Sequence, residues 1–332
     1  MRRPRRTIVA AAVMVAFIVA IPRSAQSDAP LLTVVAKIPL PDGRGRIDHL
    51  AYDAGRRRLY VAELGNDSVV IVDVARQRFE RRVPGFAEPQ GIAYLAATDA
   101  VYVSTAGDGF LRAFHAADMS KMASAKLGDD ADNVRVDATP ARVYVGFGGG
   151  GIAILDPGTL ERLGDILLRG HPEGFQLSAS DERIFVNVPD AREIAVIGRF
   201  GRKQLSSWPV AEMRGNFPLA IDEAGGQVIS VFRFPARIAS YQASTGKIVR
   251  AVEACGDADD VFVDARRLRV YVVCGEGVVD VLNKTTLERI ARIQTAGGAR
   301  TGLFSPDADL LFIAARATPD SGAAVWVLKP SD

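Results

Sequence analysis

The sequence predicts an all-β fold, a seven-bladed β-propeller of four-stranded antiparallel blades, on three observations. First, Tyr60, Tyr102, Tyr144, Phe185, Ile229, Tyr271 and Phe312 sit in equivalent apolar runs at spacings of 42, 42, 41, 44, 42 and 41 residues. A repeat of that period, made of short strands, is the signature of propeller blades. Second, each copy alternates apolar runs with turns, and no long helical pattern interrupts them. Third, seven copies fill the chain once its amino-terminal segment is set aside, and a closed ring of that size forms one cooperative unit.

The elements follow in chain order. Met1, Arg2, Arg3, Pro4, Arg5 and Arg6 precede an uninterrupted apolar stretch over residues 8–21, then Pro22, Arg23, Ser24, Ala25, Gln26 and Ser27. This basic, apolar, small-residue order predicts an export signal over residues 1–27, with Ala25 and Ser27 flanking the cut. At 14 residues the apolar stretch is shorter than the roughly 20 that span a bilayer, so cleavage is expected rather than anchoring. Residues 28–332 are then a single propeller domain, periplasmic or secreted, with no transmembrane segment after signal removal. Losing the signal removes five arginines and no acids, taking 41 basic against 39 acidic residues to 36 against 39. The basic character belongs to the targeting segment, and nothing supports nucleic-acid binding, which needs a clustered basic face.

Blade one sets the pattern. Residues 47–53 are read as the innermost strand, 58–63 as the second, 68–73 as the third and 78–84 as the outer one. Leu59 with Val61, and Val70 with Val72, alternate so that both blade faces are apolar and pack on neighbours. Turn-forming runs fall between the strands, among them Ala54-Gly55, Asp156-Pro157-Gly158 and Ser305-Pro306-Asp307. The last repeat, residues 302–329, supplies three strands, while residues 31–40 form an orphan strand. The amino-terminal strand is therefore expected to pair with the last blade, close the ring and remove an exposed edge.

Two cysteines occur, Cys255 and Cys274. In the repeat register both fall at the same end of the blade-six hairpin. In an oxidising compartment they are expected to form a disulfide worth about 3 kcal/mol by loop closure. A zinc site is not expected there, because neither cysteine belongs to a Cys or His cluster.

The strand sequences carry a resemblance. Tyr60-Val61-Ala62-Glu63 with Val70-Ile71-Val72-Asp73, Tyr102-Val103-Ser104-Thr105, Tyr144-Val145-Gly146-Phe147 with Ile152-Ala153-Ile154-Leu155-Asp156, Phe185-Val186-Asn187-Val188 and Tyr271-Val272-Val273-Cys274 resemble the blades of the YVTN-repeat β-propeller family. That family's blades carry Tyr-Val-Thr-Asn followed by a Val-x-Val-x-Asp strand; no copy here retains Thr-Asn. The resemblance covers essentially the whole mature chain and implies a fold similar to lactonase-like seven-bladed propellers, with exported bacterial members.

Candidate chemistry sits where the innermost strands begin. Twelve residues before each Tyr-equivalent stand Asp48, Gln90, Asp132, Glu173, Phe217, Asp259 and Arg300. The next column adds His49, Asn133, Asp260 and Thr301, and the preceding loops add Glu88, Asp129, Asp130, His171, Asn216 and Asp257. Acids are common in tight loops because they cap backbone groups. Their occurrence in one column facing one axis argues for a shared purpose. Like charges held close must be protonated, paired, or neutralised by a cation. Asp48, Asp132, Glu173 and Asp259 are the candidate metal ligands: oxygen donors suit calcium or magnesium, while His49 or His171 with a carboxylate suits zinc. Asp48, His49, Gln90, Asn133, His171, Asn216, Arg300 and Thr301 are the candidate ligand-binding residues, and Arg300 either binds an anionic group or pairs with Asp48.

His115 replaces the Asp of a third-strand pattern and is read as a surface or blade-edge residue. The glycines at 148–151 precede a strand without Lys-Ser or Lys-Thr, which argues against a phosphate loop, and Asn66-Asp67-Ser68 is read as a hairpin turn. There is no Gly-x-Ser-x-Gly elbow and no Cys-x-x-Cys-His haem site. The leading expectation is a binder of a small polar ligand, a divalent metal, or both. A metal-dependent lactonase-type hydrolase with His49 or His171 as base comes second, and a scaffold docking a cell-envelope protein third.

Overall fold

The alternation of the repeats becomes seven separate antiparallel sheets of four strands arranged in a ring, a β-propeller. The computed structural model describes residues 30–210 and 212–332, so the expected signal over residues 1–27 lies outside the described residues. Blade one comprises Leu50–Asp53, Arg58–Glu63, Ser68–Asp73 and Arg78–Pro84. Its inner strand starts at Leu50 rather than residue 47, because Asp48 and His49 turn their backbone towards blade-one and blade-two partners, Asp48 N–H to the Ala62 carbonyl and His49 N–H to that of Gln90.

The ring closes as the orphan strand requires. Leu32–Pro39 pairs antiparallel with Ala324–Pro330 and completes the sheet of Gly302–Ser305 and Leu310–Ala315. Leu32, Ile38 and Leu40 are buried by this pairing.

Seven buried apolar clusters occupy the seven junctions between blades. One joins Leu59, Val61 and Val70 of blade one to Phe312 and Val325 of blade seven, with Ile38 from the closing strand. The opposite face of blade one, with Tyr60 and Ile71, packs on Ile92 and Val101 of blade two. The remaining five clusters repeat the arrangement around the ring. Alternating residues thus go to opposite junctions, which is why both faces of each strand must be apolar. The repeated tyrosines also carry a polar tip: Tyr60 Oη donates to the carbonyl of Ala116 at 2.9 Å and Tyr102 Oη to that of Pro157 at 2.8 Å, each in the following blade.

Cys255 and Cys274 form a disulfide at a Cα separation of 5.9 Å, beside the Ala258–Cys274 pair of the blade-six hairpin. His115 is exposed at the end of Phe110–His115. Among the described residues no helix is long and apolar enough to cross a membrane.

Candidate functional site

Each blade delivers one loop to the ring axis, immediately before its innermost strand. These loops and strand starts bring Asp48, His49, Asp132, Asn133, Glu173 and Asp259 around a narrow cavity of about 60 Å³. The backbones approach closely here. Ser104 Oγ accepts from the Gly91 N–H at 3.0 Å and donates to the Asp132 carbonyl, and a Cβ on Gly91 would overlap that carbonyl oxygen. Gly91 therefore sets how near blade two comes to Asp132.

The acidic column does not stand alone. Arg46 Nη2 lies 2.6 Å from Asp48, Arg233 Nη2 2.7 Å from Asp259, and Arg300 Nε 2.9 Å from the other oxygen of Asp259. Arg300 also reaches Asp257 at 3.1 Å, so its partners are the blade-six acids rather than Asp48. Arg233 lies 3.9 Å from the centre of the Phe217 ring, which explains the apolar member of the column: it supports the cation that neutralises its neighbours.

The protons follow from burial and these neighbours. Burial raises Asp48 above the usual carboxylate range, against the pull of Arg46 and with help from Asp132 and Asp259. Glu173 is pushed up to about 8, by burial first and then by Asp132 and Asp259. Asp260, half-buried, rises to about 7, chiefly through desolvation, while accepting a 2.8 Å hydrogen bond from the Gly302 N–H. His171 loses basicity through burial but regains more from Asp132, the Gly148 carbonyl, Asp130 and Glu173, and is carried to about 9. Its Nδ1 faces the Gly148 carbonyl at 2.7 Å and so carries a proton there. Asp132 is held low despite burial by His171, His49 and Arg46.

Three side-chain oxygens on residues that line the cavity are buried without a hydrogen-bond partner, Asp48 Oδ2, Asp132 Oδ1 and Asn133 Oδ1, and of these only Asp48 Oδ2 has an ion-pair partner, Arg46. Buried acceptors of that kind cost free energy until a donor or cation reaches them. Among the described residues no three His, Cys, Asp or Glu groups form a ready-made metal cluster. His49 stands between two carboxylates, 3.8 Å from Asp48 and 4.0 Å from Asp260.

Other expected site residues lie further out. Gln90 bridges Arg46 at 3.5 Å and Asp130 at 3.3 Å behind the cavity wall. Asn216 is buried between blades, donating to Asn187 Oδ1 at 3.1 Å and the Glu193 carbonyl at 3.0 Å, and Thr301 donates to the Ile47 carbonyl at 3.3 Å across the ring closure. Both do structural work. The sequence reading overlooked Arg46, Arg135, Gln176 and Arg233. Arg135 had a signal: it is a charge placed inside an inner strand, between Val134 and Val136.

Further along the inner strands lies a wider chamber of about 340 Å³. His49, Arg135, Gln176, Asp260 and Phe262 border both spaces, and Tyr52, Tyr94 and Phe304 line only the wider one.

No protein-family model and no curated protein sequence matches this chain. Solved structures do. A chain of a mitotic checkpoint complex superposes with a TM-score of 0.76 at 12% identity, over 95% of this chain and 98% of that one. A chain of Kuenenia stuttgartiensis hydrazine synthase superposes with a TM-score of 0.74 at 14% identity, over 83% of this chain and 94% of that one. At such identities the likeness establishes the fold alone: the chain is a seven-bladed β-propeller.

Proposed function

We propose that this protein is an exported propeller of YVTN-repeat type that binds a small polar ligand, or the donor-bearing head of a larger one, in its axial neck. The observation that carries the reading is the pair of buried acceptors without partners, Asp132 Oδ1 and Asn133 Oδ1, on residues that line a cavity whose other acids are held by arginines. We read them as acceptors for an amine or other donor group, or a hydrated cation, held in the neck. The neck's volume of about 60 Å³ admits a head group or a few waters, whereas whole drug-sized ligands occupy about 300–1,000 Å³. Export rests on the amino-terminal order of arginines, apolar run and small residues.

The metal-dependent hydrolase is the second reading, favoured by His49 between Asp48 and Asp260. Because arginines already hold Asp48 and Asp259, the oxygens of Asp132, Asn133 and Glu173 are the ones left for a calcium or magnesium ion that keeps part of its water shell. Such an ion would supply Lewis-acid polarisation, and His49 would then be the base.

Native mass spectrometry and elemental analysis of the mature protein, before and after incubation with calcium, magnesium, zinc and a panel of small amines, test both readings. Uptake abolished by Asp132→Asn with Glu173→Gln, with folding intact, supports the neck site. A metal retained at stoichiometry selects the second reading and a lactone and ester screen. Undiminished uptake in the double variant refutes both.

A further inference from the structure

The wider chamber has chemistry opposite to that of the neck. Its one guanidinium, on the half-buried Arg135, forms no ion pair with any described residue. Nη1 donates to the Val134 carbonyl at 2.9 Å, the side chain lies 5.4 Å from the centre of the Phe175 ring, and Nε is sealed without a partner. Burial lowers its proton affinity, and Asp260 and Asp132 offset this only through space. A half-buried guanidinium that borders a chamber and has no counter-ion is open to an anionic partner entering that chamber.

We propose that this chamber is a second binding site, for a small organic monocarboxylate with an apolar or aromatic body, held by its carboxylate on Arg135. Guanidinium and carboxylate match in a bidentate geometry. The chamber's volume of about 340 Å³ falls within the range of organic-ligand pockets, and Tyr52, Tyr94, Phe262 and Phe304 give it an aromatic wall. A single negative charge is favoured over two. Asp132 and Asp260 act on the same guanidinium and would repel a dianion such as phosphate. Asp260 makes no ion pair with Arg135: its Oδ2 accepts from the Gly302 N–H and lies 4.0 Å from His49.

The test is calorimetric titration of the mature protein with phenylacetate and with phenylacetamide, the uncharged analogue of the same shape. Phenylacetate should bind at least about tenfold more tightly than the amide, as for a hydrogen bond to a charged group. That preference should vanish in Arg135→Met while the melting transition persists. If Arg135→Met does not fold, the comparison of acid with amide on the unaltered protein decides alone. Equal affinity for the two, or binding of neither, overturns the proposal. Phenylacetate binding that survives Asp132→Asn, when neck uptake is lost, shows that the two sites stand or fall separately.

Discussion

Glu173 provides a quantitative handle on the neck. Its carboxyl is held near 8 in the folded protein, against 4.5 as the ordinary value, chiefly by burial. Below about pH 4.5 it is protonated whether the chain is folded or not, and contributes nothing. Between 4.5 and 8 unfolding releases its proton, so the folded state holds more protons and stability falls as pH rises. Above 8 the penalty is constant. At 1.36 kcal/mol per pKa unit, the penalty is about 1 kcal/mol at pH 5 and about 3 kcal/mol at pH 7, as upper limits for a side chain with some solvent contact. Glu173→Gln keeps the shape and cannot ionise. Urea denaturation of both proteins across this range should show the variant more stable, by a margin that widens from pH 5 to pH 7. A margin independent of pH, or a variant less stable throughout, would refute the assignment of a neutral carboxyl to this position.

Truncating Ile38, buried in the closing strand, to Ala should cost about 2–5 kcal/mol in chemical denaturation, and deleting residues 31–41 should abolish the cooperative transition, since burying Leu32, Ile38 and Leu40 contributes about 1.5–3 kcal/mol each against a typical total of about 5–15. A truncated protein with an unchanged melting temperature would disprove the closure. Gly91→Ala should destabilise by about 1–3 kcal/mol and weaken neck binding together, because the new methyl displaces the Asp132 backbone; lost stability with unchanged binding would sever that link. Replacing both cysteines with Ala should cost about 3 kcal/mol, from the 19-residue separation that the disulfide closes. His171, raised to about 9, stabilises the fold below about pH 6.5 and loses that contribution as pH rises through 9. The cost of His171→Gln should therefore shrink from pH 6 to pH 10 in the same denaturation assay.

The fold was legible because each structural demand repeats. Tyr60 and Tyr102 recur since each must fill a blade junction and reach a carbonyl in the next blade. Strand ends in blade one fall where turn residues stand, except at Asp48 and His49, whose backbone partners are long-range and leave no local mark. The site was legible only in part. Asp48, Asp132, Glu173 and Asp259 converge, yet alignment in register is weaker support for function than it looks. Asp53, Asp222 and Asp264 form another aligned column, and each caps a turn, accepting from Arg56 N–H at 3.0 Å, Gly225 N–H at 3.1 Å and Arg267 N–H at 3.1 Å. Repetition copies caps as faithfully as ligands. Arg300 stands in the column itself, but Arg46 and Arg233 come from other positions in the repeat, and only folding brings them to the acids.

The neck itself is tested most directly by a crystal structure of the mature protein at neutral pH, at a resolution that separates water from ions and small organic groups. The account predicts an ordered donor or cation within hydrogen-bonding or coordinating distance of Asp132 Oδ1 and Asn133 Oδ1, with Arg46 on Asp48 and Arg233 and Arg300 on Asp259. Asp132 and Asn133 turned onto protein partners, with nothing bound between them, would contradict it.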